Sequence, residues 1–202
     1  MRPLRLDPGG EGDNRDAWAV IPAALGQEID AEQSASRLLL LTPTQKLRAR
    51  AVIADYLRRC ETNQALHNYT QARPYKGLGI APEQRWDGDC SSYVALAFYW
   101  AKHVTGVPLV DPLGYAYAGW GYTGSIYMHN RRHPVPFDHV FMVGDLALYG
   151  NSFTATTHVT ICRRKGDRNT SIWSSNGRQA APEPVRLFYR RPLGVFRPES
   201  LL

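Results

Sequence analysis

Three cysteines and six histidines are the residues of this chain with the widest range of possible chemistry. The cysteines are Cys60, Cys90 and Cys162, an odd number at wide spacing without a CxxC pair. This pattern predicts neither a disulfide framework nor a zinc site. A free cysteine is either a small buried hydrophobic residue or a nucleophile, and the flanking sequence has to distinguish the two.

Cys90 lies where a polar turn meets an apolar stretch, in "RWDGDCSSYVALAFYWAKHV". Asp89 is a good N-cap, and Val94, Ala97, Phe98 and Ala101 recur at helical spacing. The pattern predicts a buried helix that begins at Cys90. Backbone N–H groups in a first helical turn are unpaired and the helix dipole is positive there, which favours a thiolate and can bind an oxyanion.

A thiol nucleophile also needs a base, and His158 is the best candidate among the histidines. It opens the predicted strand "HVTIC", in which Val159 and Ile161 face one side. An imidazole base needs an orienting acceptor, and "SSNG" at the end of the next strand offers Ser175 and Asn176. Cysteine at a helix start, then histidine on a strand, then a polar residue on the following strand is the papain-like order.

Other candidates carry weaker chemistry. Cys60 falls on the apolar side of a predicted helix, where a structural role is favoured. A histidine cluster has metal-like spacing, but Pro134 and Pro136 break any helix there, so we predict no metal site. The cluster comprises His129, His133, Asp138 and His139.

The remaining pattern predicts an α+β fold with helices first and an antiparallel sheet later. A capping box at Thr42 and Gln45 opens a helix over 43–66, followed by irregular segments over 67–89 and 105–142. Within the second segment, "GYAYAGWGYTGS" is either a substrate wall or part of the core. Strands are predicted over 143–150, 157–162, 170–175, 185–189 and 193–196.

Composition limits the partners. The net charge of +6 would suit nucleic acid, but the arginines are scattered and form no basic helix face, so we expect no nucleic-acid partner. The start of the chain lacks the apolar region of a signal peptide, and Leu38 to Leu41 is too short to span a bilayer. Residues 1–40 are polar and glycine-rich, which predicts an extended N-terminal arm, and residues 41–202 form the predicted domain.

The segments "DCSSYV", "GDLALY" and "HVTIC" resemble the NlpC-type cell-wall cysteine peptidases. The usual pattern there is D-C-S-G followed by a hydrophobic residue, then G-D-L, then H-V. Versions from phages of actinobacteria are the most similar, since "NYTQARPY", "GWGYTGSIYMH" and "SSNGRQAAPEPVRLFYRR" also resemble their segments. The resemblance covers roughly residues 66–197 and implies a papain-like fold, with N-terminal helices packed on an antiparallel sheet.

The resemblance also implies residue roles. Cys90 matches the nucleophile, His158 the base, Asn176 the third polar residue and Tyr69 a tyrosine that helps the oxyanion site. Two positions depart from the pattern: Ser92 replaces the common glycine, and Asn176 stands where phage relatives often have histidine.

The function implied is hydrolysis of peptidoglycan stem peptides without a cofactor. The absence of a signal peptide predicts synthesis in a host cytoplasm, followed by incorporation into a phage tail or release to the cell wall. Other phage tail proteins are the expected partners of the arm, and no membrane partner is expected. A lysis endolysin and a structural tail or assembly protein that retains the peptidase fold are the alternatives.

Overall fold

The computed structural model describes residues 41–177 and 182–202, so the predicted arm over 1–40 lies outside the described residues. The described chain is α+β, as predicted, with three α-helices and a five-stranded antiparallel sheet. The helices are α1 (Pro43–Thr62), α2 (Cys90–Thr105) and α3 (Thr123–Asn130). The strands are β1 (His67–Asn68), β2 (Trp86–Asp87), β3 (Leu146–Ser152), β4 (Ala155–Arg164), β5 (Ile172–Ser175), β6 (Glu183–Val185) and β7 (Gly194–Phe196).

The five-stranded sheet has the order β6-β5-β4-β3-β7, and every neighbouring pair is antiparallel. The central strand β4 pairs Tyr149 with His158 on one side and Thr160 with Ser175 on the other. β1 and β2 form a separate two-stranded parallel pair just ahead of α2. The register therefore brings the start of β4 and the end of β5 side by side.

Each face of the sheet has its own core. Val159 and Ile161 pack in one buried cluster with residues of α1 and α2, and Cys162 and Trp173 pack in a second cluster. This division confirms the predicted alternation along β4, because successive strand residues point to opposite faces.

Both long helices begin where their caps predicted. The Thr42 side chain accepts from the Gln45 N–H and the Gln45 side chain accepts from the Thr42 N–H, which completes the expected capping box. Asp89 caps α2 in the same manner, with Ser92 in the reciprocal position. Val94, Ala97, Phe98 and Ala101 are all fully buried, so α2 is the central helix of the domain.

The structure departs from the sequence prediction at several places, among them the short strands β1 and β2 in the segment 67–89 that was predicted to be irregular. α1 ends at Thr62, and a short 3-10 turn over Gln64–Leu66 replaces its predicted last turn. α3 occupies a stretch predicted to be irregular. The strand predicted over 185–189 was wrong, because β6 ends at Val185 and a 3-10 turn over Leu187–Tyr189 follows.

Candidate functional site

Cys90 is the first residue of α2, and only 4 % of its surface is exposed to solvent. It packs in the same buried cluster as Val159 on β4, and the backbone N–H groups of Val159 and Ser91 favour the charged form of its thiol. Val159 directly follows His158, so the thiol lies against the backbone of the strand that carries the predicted base. The start of α2 and the start of β4 thus meet at Cys90.

His158 is 8 % exposed, and its Nε2 lies 3.0 Å from the hydroxyl of Ser175 on β5. Its ring also packs beside two tyrosines, with ring centroids 5.9 Å from Tyr149 and 6.4 Å from Tyr189. The Ser175 side chain lies near the Tyr189 hydroxyl and favours its ionised form. His158, Ser175 and Tyr189 therefore form one polar chain at the end of the sheet.

Asn176 directly follows β5 and is buried. Its side-chain amide donates a 3.0 Å hydrogen bond to the backbone carbonyl of Gly88, and the residue is 2 % exposed. The neighbouring Ser175 is the side chain that pairs with His158 Nε2. Of the two acceptors that "SSNG" offered, Ser175 is the one with a hydrogen bond to His158 in the structure, and the Thr160–Ser175 register brings it beside this part of β4.

Tyr69 is half-buried and lies opposite Gly88 in the chain pairing that precedes α2. The Gly88 N–H donates to Asn68, and the Gly88 carbonyl accepts from the Thr70 N–H, which brackets Tyr69 between these two bonds. The Tyr69 hydroxyl accepts a 3.2 Å hydrogen bond from the Gln71 side chain. The backbone on either side of Tyr69 and the Asn176 side chain therefore both bind Gly88, two residues before Cys90.

Burial controls the protonation of the Cys90 thiol and the His158 imidazole. It raises the pKa of the Cys90 thiol to about 12, and the Asp89 carboxylate adds to the rise, although the Val159 and Ser91 N–H groups and Arg73 oppose it. Burial also lowers the pKa of His158 to about 4, assisted by the positive charge of Arg190. The site at rest therefore holds a neutral thiol and a neutral imidazole, whereas the helix start alone had predicted a thiolate.

Arg73 lies behind the cysteine and was not identified from the sequence. Its Nη2 is 2.7 Å from Asp89 and 2.9 Å from the Ser91 hydroxyl, and its Nε donates to the Gly121 carbonyl at 2.9 Å. The guanidinium carbon lies 4.1 Å from the centre of the Tyr122 ring. Nothing in "NYTQARPY" marks this arginine as buried, because its partners lie in two distant segments.

The other candidates separate from this site. Cys60 is fully buried in α1, and burial raises its pKa to about 12. In the described ranges 41–177 and 182–202, no group of three or more His, Cys, Asp or Glu side chains is arranged to hold a metal ion. Within the "GYAYAGWGYTGS" segment, Tyr117 joins the core and Trp120 remains 44 % exposed, so the segment supplies both core and surface.

A pocket of about 320 Å³ lies away from the cysteine, at the β7 edge of the sheet. Tyr127, Phe153 and Phe196 line its wall with stacked and edge-on rings, and Arg131 lies at its margin. It shares no lining residue with the Cys90 site. Of the described helices, none is long and apolar enough to cross a membrane.

No family model, curated protein or solved structure matches this chain. The fold class and the site geometry described above are therefore the basis for a functional proposal.

Proposed function

We propose that this protein is a papain-like cysteine peptidase of the NlpC type that hydrolyses peptidoglycan stem peptides. The observation that carries the proposal is the packing of Cys90, the first residue of α2, in one buried cluster with Val159, the strand residue next to His158. The Ser175 hydroxyl at His158 Nε2 adds the third member of a cysteine–histidine–polar arrangement.

The protonation states favour attack and proton transfer in one step. In a neutral pair, His158 takes the Cys90 proton as the sulfur bonds to the peptide carbonyl carbon. The tetrahedral intermediate places its oxyanion at the N-terminus of α2, near the Cys90 N–H, where the helix dipole is positive. Tyr69, whose neighbours Asn68 and Thr70 bind Gly88, is the proposed additional donor.

The second half of the reaction returns the enzyme to its starting state. His158 gives its proton to the leaving amine, the C–N bond breaks, and an acyl thioester remains on Cys90. His158 then takes a proton from water as the water oxygen attacks the thioester. Collapse releases the acid product, and the Cys90 sulfur regains a proton.

Ser175 is the residue that we propose to orient the base. Its hydroxyl contacts both His158 Nε2 and Tyr189. A serine hydroxyl has one hydrogen, so donation to Tyr189 leaves its oxygen to accept from Nε2–H. That arrangement leaves Nδ1 of His158 as the nitrogen that accepts the thiol proton. Asn176 then supports the loop before the nucleophile through Gly88.

The second candidate is a structural phage tail or assembly protein that retains the peptidase fold. The near-complete burial of Cys90 and His158 favours it, because a substrate has to move neighbouring groups before it reaches the thiol. Both candidates fit a virion-associated protein whose residues 1–40 bind other tail proteins, and a released endolysin fits the first. The proposal requires no cofactor and no nucleic-acid or membrane partner.

Digestion of purified actinobacterial peptidoglycan tests the proposal. Wild type and Cys90→Ala are incubated with the same peptidoglycan, and the released peptides are identified by mass spectrometry. Stem-peptide fragments from wild type alone support the hydrolase and identify the bond cleaved. Absence of fragments from folded wild type contradicts a free-standing hydrolase, and incorporation of Cys90→Ala into particles then supports the structural candidate.

A further inference from the structure

Arg73 and Asp89 form an ion pair directly behind the cysteine. Both side chains are 4 % exposed and the nitrogen–oxygen distance is 2.7 Å. Burying charges is costly, so buried charges are normally paired with an opposite charge and hydrogen-bonded. The position of this pair in the fold indicates why the charges are kept there.

Asp89 has two tasks in this structure. Its Oδ1 caps α2 by accepting from the Ser92 N–H at 2.8 Å, and it also accepts from the Ser91 hydroxyl at 2.9 Å. Its negative charge, however, adjoins Cys90 in sequence and disfavours a thiolate. A cap at this position therefore conflicts with a nucleophile at the next one.

Arg73 resolves this conflict. Its Nη2 contacts Asp89 Oδ2, so it neutralises the carboxylate and leaves Oδ1 free to cap the helix. The same nitrogen donates to the Ser91 hydroxyl, and Nε binds the Gly121 carbonyl, which fixes the guanidinium in one orientation. The Tyr122 ring stacks on its face.

We propose that Arg73 is a positioning residue that holds the first turn of α2 through Asp89 and Ser91 and shields the Cys90 sulfur from the Asp89 charge. The inference rests on the proposed role of Cys90 as the nucleophile. Lysine is a poor substitute, because one ammonium does not reproduce the planar contacts to Asp89, Ser91 and Gly121.

Other charged and titratable groups act on the same turn. His158 faces it from β4 and Tyr189 from the 3-10 turn after β6, while Tyr75 lies on the Arg73 side. None of these is altered in the variants below, so each variant changes only the Arg73–Asp89 pair.

The test measures the reactivity of the Cys90 thiol, independent of peptidoglycan. Full-length protein is treated with iodoacetamide across the neutral to alkaline range, and mass spectrometry of the Cys90 peptide gives the alkylation rate at each pH. Arg73→Gln is expected to move the rate profile upward by about one pH unit, since a like charge near an acid produces shifts of this size. Below the midpoint, alkylation would be about tenfold slower.

Substitution of the partner is expected to have the opposite sign. Asp89→Asn removes the negative charge but keeps a good N-cap, so the profile should move downward. The double variant Arg73→Gln/Asp89→Asn should return close to wild type. Arg197→Gln is the matched control, because it breaks the ion pair of Arg197 with the fully buried Asp145, 2.7 Å apart, outside the cysteine site.

Two results would overturn the inference. One is an unchanged profile for folded Arg73→Gln; the other is a shift of all three variants in the same direction, which indicates simple loosening of the turn. If Arg73→Gln does not fold, Asp89→Asn alone decides by the sign of its shift. If the variants show the predicted shifts of the alkylation profile but folded wild type does not digest peptidoglycan, the proposed hydrolase is contradicted. The effect of Arg73 on the Cys90 thiol would still stand.

Discussion

Cys60 and Cys90 are two buried thiols with the same raised pKa of about 12 and very different surroundings. Cys60 lies in the last turns of α1, where its sulfur contacts the side chains of Tyr56 and Trp86. Cys90 lies at the first residue of α2 and contacts the backbone N–H groups of Val159 and Ser91.

The difference shows that burial alone does not identify a nucleophile. Both thiols are protonated at rest, so the distinction lies in what is available when a proton leaves. Around Cys90 there are backbone N–H groups, the Asp89 carboxylate paired with Arg73, and the strand that carries His158. Around Cys60 there are the aromatic rings of Tyr56 and Trp86, which suit packing.

Substitution of the two cysteines gives the largest expected contrast. Cys90→Ala should reduce release of stem-peptide fragments on the order of 10³-fold or more, because no nucleophile remains. Cys60→Ala should retain digestion and lose about 1 kcal/mol of unfolding free energy. Peptide release and denaturant unfolding measure the two effects, and a folded but inactive Cys60→Ala would contradict the contrast.

The two buried histidines allow a second contrast. His158→Gln should lower turnover by about 10²- to 10⁴-fold, the usual contribution of a general base. His67→Gln is the matched control, because His67 is 5 % exposed and stacks on Trp86 at 4.6 Å, and it should retain turnover.

His158 should make the stability of the protein depend on pH. The folded pKa of His158 is about 4, below the usual value near 6.5, so the unfolded chain binds the proton first as pH falls. The contribution of neutral His158 to the free energy of unfolding is fully present above the ordinary pKa of histidine and is lost as pH falls towards 4. Denaturant unfolding at a series of pH values should show a shallower loss in His158→Gln, and an unchanged slope would contradict this.

Ser175 and Asn176 are adjacent, and their substitutions should differ in kind. Ser175→Ala should lower turnover about tenfold and move the acidic limb of the pH–rate profile, because it removes the His158 partner. Asn176→Ala should leave that limb in place and cost about 1 kcal/mol of stability, through loss of the bond to Gly88. The reverse pattern would return the orienting role to Asn176.

Arg190 gives the smallest expected effect. It is exposed and lowers the pKa of His158 by charge repulsion, so Arg190→Gln should raise that pKa by a few tenths of a unit. An NMR titration of the His158 ring in a Cys90→Ala background measures it, with Arg168→Gln as control. Added salt should remove the shift, since exposed charges are screened, and a salt-independent shift would indicate a structural cause.

Much of the scaffold was predictable because local signals control it. The caps at Thr42 and Asp89 set the helix starts, and the alternation of Val159 and Ile161 set the faces of β4. Cys90 could be placed at a helix start for the same reason. The direction of its pKa shift could not be predicted, because burial shifts a pKa by up to about 3–5 units, which exceeds the effect of a helix end.

The errors arose where distant segments determine local structure. Residues 185–189 have the composition of a strand, yet the Leu187 carbonyl accepts a 2.9 Å hydrogen bond from the Tyr149 hydroxyl at the 3-10 turn. The choice between Ser175 and Asn176 depends on the register of β5 against β4. The burial of Arg73 depends on its contacts with Asp89 and Gly121, which lie far from it in sequence and are encoded by no local pattern.

The Gly88 carbonyl has a consequence for the order in which this chain is made. It accepts one hydrogen bond from the Thr70 N–H, upstream in the chain, and another from the side-chain amide of Asn176, 88 residues downstream. Chains emerge from the ribosome with the N-terminal end first, so Cys90 is synthesised well before β4 and β5. A nascent or prematurely terminated chain would expose Cys90 without His158, so under the proposed function peptidase activity would arise only when synthesis is almost complete.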